Sequence, residues 1–410
     1  MVLHLPLFCV CYDYNFRKGK ANRFVFVAEH MNYLALKDVC CINMGQSPDS
    51  KSYNDSKEGI PFFQGNADFG ERYPITRVWC NAPTKIAEKD DILISVRAPI
   101  GALNYAKETC CIGRGLAAIT PNKTKVSTEF IFWLLKEKNN ELNRLGTGST
   151  FKAISKKILE ETKVPDISLE KQTAYSNILE KLYSIITHLR TQLEKLDLLV
   201  KARFVEIFGD TEYNTKKFPV YKLSELCTVS SSKRIYQDEQ SSTGVPFLRI
   251  SNLVELIETG HLKNELFISD EKYIELVRSN LVPQKGDILV TSRGTLGKCY
   301  IVQDDDKFYF QDGMISWLYN LNKAITPLYL ALLFNTRNIK TQIDNLQSGS
   351  TVAYLSITML KKLNIVVPPL TLQNQFADFV KQVDQSKSIL QQELDKAQML
   401  FDSLMQEYFG

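Results

Sequence analysis

Two stretches of this chain carry apolar residues in alternating steps of four and three. In the first, Leu182, Ile186, Leu189, Leu193, Leu196, Val200 and Ile207 form the ladder, with Arg203 in the missing place. In the second, Phe376, Val380, Val383, Leu390, Leu394, Ala397, Phe401 and Leu404 do the same, and Lys387 fills the gap. Neither proline nor glycine interrupts residues 170–208. This period is the coiled-coil spacing, and it predicts two helices of roughly 35 residues, each about 50 Å long at ~1.5 Å per residue. A surface helix of a larger domain carries a broader apolar stripe. So narrow a seam needs a partner, and the simplest partner for one helix is the other. Because the first helix delivers the chain to the segment from which the second returns, the pair is expected to run antiparallel.

The rest of the pattern is different and occurs twice. Short β-branched and aromatic runs such as DILISV and DILVTS, bounded by Gly, Pro and Asp, predict strands. Residues 127–139 and 327–337 each predict one short helix, since their apolar positions recur at three and four. Long polar loops lie between, at 46–59 and 230–244. The stretch AEKDDILISVRAPIG, holding Asp91 and Arg97, is answered 196 residues later by PQKGDILVTSRGTLG, holding Asp287 and Arg293. The Gly-Ser-Thr triplets at 148–150 and 349–351, the Phe-Gly pairs at 208–209 and 409–410, and IPFFQGN against VPFLRISN keep the same order. Leu36 to Val39 answers Leu223 to Leu226, and KVPDISLEKQ around Pro165 answers VVPPLTLQNQ around Pro368. A repeat this long is a duplicated module, since solenoid units are far shorter.

Composition narrows the class. The chain has 410 residues, enough for two to four domains, and its 44% apolar and 23% charged content is that of a folded chain with more than one core. Fifty basic residues against 46 acidic leave a net charge of only +4, so contact with an acidic partner must come from local clusters. The nine cysteines are odd in number and bunched as Cys9/Cys11, Cys40/Cys41 and Cys110/Cys111. That argues for buried thiols over a disulfide framework, and four scattered histidines do not supply a zinc site. The opening apolar run has its basic cluster after it, where a signal peptide would have it before. The reading is a cytoplasmic chain.

With these motifs in place, the chain resembles the DNA-specificity subunits of Type I restriction–modification systems. The residues that carry the resemblance are the DILISVRAPIG and DILVTSRGTLG pair, the two GST triplets with Ser155 and Ser356, the boundaries at Pro165 and Pro368, and the two heptad helices. They cover the chain from about residue 32 to its last. The resemblance implies an α+β, internally duplicated fold: two globular α/β target-recognition domains joined by two long antiparallel coiled-coil helices with a pseudo-two-fold relation. The boundaries it implies are a first recognition domain at 32–167, a central helix at 168–209, a second recognition domain at 210–369 and a C-terminal helix at 370–410; the chain departs from the family in an N-terminal extension at 1–31, since the first recognition domain there normally begins close to the initiator. It also implies a non-catalytic subunit that binds double-stranded DNA at a bipartite, asymmetric target and docks two modification subunits. Those subunits bring S-adenosylmethionine and methylate adenine N6. Restriction subunits that use ATP and Mg2+ join for cleavage. No cofactor is expected in this chain itself. The runner-up reading is a protein-interaction scaffold with two end domains on a coiled-coil spacer.

Candidate DNA contacts fall in two groups. Arg97 and Arg293 sit at matching positions after an apolar strand. A side chain identical in both repeats fits contact with the invariant phosphate backbone, or bracing of the turn, better than readout of two different sequences. Gln46, Lys51, Gln64, Asn66, Arg72 and Arg77 in the first module, and Lys233, Arg234, Arg249 and Gln311 in the second, lie in or beside polar segments that differ between repeats. Sequence readers must differ in that way, and Arg, Gln and Asn carry the donor patterns that match base edges. Thr150 and Thr351 complete the set, as hydroxyls that reach a DNA phosphate or shape the turn before the next strand, together with Lys152, which Ala353 answers in the second repeat, so that its chemistry is not shared. The triplets lack the spacing of a nucleotide-binding loop. The Asp304-Asp305-Asp306 run reads as a solvated turn, and the chain has no Asn/Asp-Pro-Pro-aromatic motif of an adenine methyltransferase.

Overall fold

The structure is a computed structural model describing residues 32–147, 152–262, 266–347 and 353–410. It divides into two units, one holding the chain up to Tyr183 together with Met399–Gly410, the other Ser184–Gln398.

In the first unit, strand Tyr33–Ala35 pairs antiparallel with Lys163–Pro165, bringing the start and end of the globular part together. The one-turn helix Leu36–Val39 follows. A four-stranded antiparallel sheet has the order Cys40–Met44, Leu116–Pro121, Ile92–Ser95, Leu103–Tyr105. Its strand Ile92–Ser95 is buried at every residue, as an uninterrupted apolar run should be. A five-stranded sheet packs with it, in which Ile60–Phe63 runs parallel to Cys110–Ile112. Helix Thr128–Glu137 is capped by Ser127, whose hydroxyl accepts from the Phe130 N–H at 3.1 Å, and it buries Phe130 to Leu135 without a gap.

The second unit repeats this plan. Val220–Lys222 pairs with Asn364–Val366, and Thr228–Ser230, Ile315–Tyr319, Ile288–Thr291 and Cys299–Ile301 form the four-stranded sheet. Val245–Leu248 runs parallel to Tyr309–Phe310. Helix Pro327–Leu333 is capped by Thr326, with proline in its first turn where no N–H is needed. The insertions differ. Helices Ile250–Thr259 and Asp270–Arg278 stand here where the first unit has a loop, and among the described residues strand Ile86–Ala87 occurs in the first unit alone. The expected polar loops are shorter than they read, because each contains a 3-10 turn and a two-residue strand, Tyr53–Asn54 and Gln240–Ser241.

The expected helices are Leu169–Phe208 and Leu370–Phe409, 40 residues each. They pack together within each unit. In the first, Tyr175 stacks on Tyr408 with ring centroids 3.7 Å apart. In the second, Arg190 donates to Gln398 at 3.0 Å, Asp197 pairs with Lys387 at 2.7 Å, and Phe204 meets Phe376 edge to face. Rising numbers on one helix meet falling numbers on the other, so the pairing is antiparallel. The ladder residues are buried or half-buried, whereas Leu198 at 62% and Ile389 at 63% exposure lie off the seam. Lys387 keeps its seam position by reaching Asp197.

One register is corrected. Asp166 N–H bonds to Asn32 O and Val367 N–H to Pro219 O, so Pro165 corresponds to Val366 and not to Pro368. The two prolines are similar in sequence and two positions apart in structure.

Candidate nucleic-acid interface

A ladder of backbone hydrogen bonds brings several of the sequence-derived residues to one edge of the first unit. Gln46 N–H bonds to Ile112 O at 3.0 Å, Gly113 N–H to Phe63 O at 2.8 Å, and Gly115 N–H to Gln64 O at 3.1 Å. Val96 N–H bonds to Gly115 O at 2.9 Å, and Ala98 N–H to Lys152 O at 3.1 Å. Gln46, Gln64, Arg97 and Lys152 therefore emerge on neighbouring segments, all exposed. Asn66, half-buried, opens the 3-10 turn directly after Gln64. The crossing is tight: a Cβ on Gly115 would lie 2.4 Å from Gln64 O, so only glycine permits it.

Arg114, which the sequence reading missed, stands at the centre of this edge. Its backbone N–H and its Nε both donate to Ser47 Oγ, at 3.3 and 3.4 Å, and Gln64 Nε2 donates to the same oxygen at 3.2 Å. Its Nη groups make no hydrogen bond among the described residues. Ser47 thus organises a guanidinium and a carboxamide whose donor patterns match guanine and adenine edges respectively. A comparison of repeats would have found it, because Arg114 faces Gly313 between strands that otherwise match.

The second unit builds the same edge with other side chains. Gln311 N–H bonds to Leu248 O, Ser292 N–H to Met314 O and Leu355 N–H to Ser292 O, each at 2.9 Å. Gly313 N–H donates to Ser231 Oγ at 3.1 Å, as Arg114 does to Ser47. Arg249 follows Leu248 at the start of helix Ile250–Thr259, and Arg234 is held by Asp312 at 2.9 Å. Arg234, Arg249 and Arg293 are exposed and Gln311 is half-buried.

The shared turn is braced identically. Ser95 Oγ donates to Pro99 O at 2.6 Å and accepts from Ala102 N–H. Thr291 Oγ1 donates to Thr295 O and accepts from Lys298 N–H. Before each strand a buried carboxylate, Asp91 or Asp287, accepts the N–H of Glu88 or Gln284 at 2.9 and 2.8 Å. Burial pushes both carboxyls above the usual range. Arg97 and Arg293 are left outside this bracing. The backbone of Arg97 bridges to Ala153, and that of Arg293 to Tyr354, whose ring its guanidinium overlies at 4.9 Å.

Other expected residues are held by their own neighbours. Lys51 sits on the 3-10 turn Ser50–Ser52, Arg77 donates to Ala67 O at 3.1 Å, and Lys233 lies 3.6 Å from Glu275. Arg72 is packed against the long helix, its side chain 17% exposed and paired with Glu180, and it is not at this edge. Thr150 and Thr351 lie outside the described residues. No group of three or more His, Cys, Asp or Glu suited to a metal occurs among the described residues, nor does a helix long and apolar enough to cross a membrane. Cys40, Cys110 and Cys227 are buried free thiols, pushed up to about 12 by desolvation.

Known proteins match this arrangement. The family described as Type I restriction modification DNA specificity domain matches residues 29–197 and again 215–399. The chain is 25% identical over 377 residues, 84% of its length and 85% of the relative's, to the type I restriction enzyme MjaIX specificity subunit of Methanocaldococcus jannaschii. It is 22% identical over 388 residues, 86% of this chain and 78% of the other, to the EcoBI specificity subunit of Escherichia coli. With a candidate MjaX specificity subunit from M. jannaschii it shares 46% identity over 156 residues, 38% of this chain and 37% of that relative. The crystal structure of a Type-I restriction-modification system S subunit from M. genitalium aligns over 94% of this chain and 98% of its own, with a TM-score of 0.61 at 16% identity, a likeness of fold.

Proposed function

The chain belongs to the Type I restriction modification DNA specificity family, and from that premise we propose that the exposed edge of each unit reads one half of a bipartite, asymmetric DNA target. DNA-sequence recognition is the role of the family. The observation that carries the finer reading is the edge itself: one scaffold, bonded alike in both units, presents one shared arginine amid side chains that otherwise differ. Arg97 and Arg293 contact phosphate, which is the same at every site. Gln46, Gln64, Asn66 and Arg114 read bases in one half, and Arg234, Arg249 and Gln311 do so in the other. Lys152 adds a phosphate contact beside Arg97, and the hydroxyls of Thr150 and Thr351 are assigned to the backbone as well.

We assign to the long helices the spacing of the two half-targets and the docking of two modification subunits. Ile185, Leu198, Leu199 and Ile389 are exposed apolar residues off the seam, the kind of surface a partner covers. S-adenosylmethionine belongs to those modification subunits, and ATP with Mg2+ to the restriction subunits. This chain supplies recognition and no catalysis, in the cytoplasm where the DNA lies.

The test is a domain swap. Residues 33–165 are replaced by the corresponding segment of a relative, and methylated adenines are mapped after assembly with the modification subunit. One half of the target should change and the other persist. A change in both halves would remove the assignment of one reader to each unit.

A further inference from the structure

We infer that Arg72 is a positioning residue that locks the first recognition domain to its own long helix; the inference rests on the recognition reading above. Arg72 leaves a loop that is itself fixed to strand Leu103–Tyr105. Tyr105 N–H donates to Arg72 O at 2.8 Å, and Asn104, 1% exposed, exchanges hydrogen bonds with the Gly70 backbone at 3.1 Å in both directions. The guanidinium then crosses to two other elements. Its carbon lies 4.9 Å from the ring centres of both Phe132 and Trp133, on helix Thr128–Glu137, and 4.6 Å from that of Tyr183 on the long helix. Glu180, almost one turn before Tyr183, completes the box as an ion pair.

A charge withdrawn from water this far is costly unless ring faces and a counter-ion replace its hydration. Both are present, and they make the contact directional. Arg72 Nη1 and Trp133 Nε1 are buried with no hydrogen-bond partner among the described residues, so ring faces and the single carboxylate of Glu180 do the holding. Strand, short helix and long helix thus meet at Arg72, and Lys136 Nζ shares two of its rings, 5.0 Å from the centre of Trp133 and 4.4 Å from that of Tyr183. An apolar plug would fill the same space without fixing an angle.

Among the described residues the second unit has no such lock. The cap contacts Gln172 to Ser127 and Gln373 to Thr326 align the two frameworks, and they put Leu332, Lys381 and Asp384 where Trp133, Glu180 and Tyr183 stand. Among the described residues no cation is boxed by rings at those positions, although Phe204, Phe208, Tyr329 and Phe376 cluster nearby. A cavity of about 900 Å³ opens instead, with Leu332, Val380, Asp384 and Lys387 in its wall. The lock therefore serves something particular to the first unit. Its location, between the reading domain and the helix that sets spacing, points to control of where the first half-target is held.

The experiment uses the full chain assembled with its modification subunit and a duplex library in which the spacer between half-targets varies. Arg72→Met fills the box without charge, Arg72→Lys keeps charge and loses the planar stack, and Glu180→Gln removes the counter-ion alone. The wild type should select one spacer length. Arg72→Met should accept spacers one base pair longer and shorter, a shift of about 3.4 Å each, and leave the first half-target's sequence preference unchanged. Its affinity for the cognate spacer should fall by about tenfold, with Arg72→Lys intermediate. Unchanged spacer selection in a folded Arg72→Met or, should that variant not fold, in Glu180→Gln, overturns the inference. So does an altered first half-target, which would make Arg72 a reader. A wild type with no dependence on half-target sequence would instead overturn the recognition reading itself, a separate outcome.

Discussion

The two units fasten their long helices by the same hydrogen bonds and then fit out the surroundings differently. Gln172 Oε1 accepts Ser127 N–H at 2.9 Å while its Nε2 donates to Lys125 O and Ile167 O. Gln373 Oε1 accepts Thr326 N–H at 2.8 Å while its Nε2 donates to Ala324 O and Pro368 O. Each is 1% exposed. A buried carboxamide with all these groups paired is costly to replace, and the second also accepts the Thr326 hydroxyl at 3.2 Å. Around it, one unit has an arginine in an aromatic box and the other an open cavity. What differs is therefore adjustable, and what is shared holds the fold.

The largest expected effect breaks that contrast where it is sharpest. Trp133→Ala removes a fully buried ring and should cost about 3–5 kcal/mol, whereas Leu332→Ala, on a half-buried side chain already beside a cavity, should cost no more than about 2. Denaturant unfolding of the two variants measures it, and equal losses would mean the cavity is packed in solution. The shared pins come next. Gln172→Ala and Gln373→Ala should each lose about 1–3 kcal/mol, and by similar amounts, because each orphans the same set of backbone groups. Unequal losses would show that the units depend on the pin differently.

At the edge proposed to read DNA the contrast becomes one between two arginines of the same unit. Arg114→Ala should weaken cognate binding by about 1–3 kcal/mol and mismatched binding much less, the pattern of a base contact. Arg97→Ala and Arg293→Ala should weaken both alike and lower the salt slope by about 1. Titrations on cognate and single-mismatch duplexes at several salt concentrations separate these. Loss confined to cognate DNA in Arg97→Ala would make it a reader.

The long helices were legible because a heptad seam is a local pattern, and the duplication because blocks such as DILISV and DILVTS kept their order. The exposure of Arg97 and Arg293 followed from their place after a buried strand. Arg72 was not legible: a cation in a polar loop reads as solvated, and only the fold brings Phe132, Trp133 and Tyr183 around it. The proline-for-proline match at the module boundary failed for a related reason. Similar residues attract an alignment, but backbone pairing of Asp166 with Asn32 and of Val367 with Pro219 sets the register. Arg114 escaped notice because it is flanked by glycines in a short connection, where composition suggests a turn and nothing more.

The smallest expected effect concerns the two buried carboxyls that hold the turn before each strand. Desolvation raises the pKa of both, and Asp287 is partly offset by the Gln284 N–H and the Trp317 indole, which donates at 2.9 Å. A carboxyl that is harder to ionise in the folded state binds its proton more tightly there than in the unfolded chain. Its contribution to stability is fully present below the ordinary aspartate pKa of about 4 and is lost as pH rises through the raised value. Asp287→Asn keeps an oxygen acceptor and removes the titration. Its melting temperature relative to the wild type should therefore climb as pH increases from about 4 and level off once the carboxyl is ionised in both states. Asp91→Asn should follow the same direction, though hydrogen bonds from the Thr120 side chain and the Glu88 N–H oppose the shift there, and Lys123 opposes it less. A relative melting temperature that falls with pH in either variant would mean that the carboxylate is better stabilised folded than unfolded, and the two turns would then be held by charge and not in spite of it.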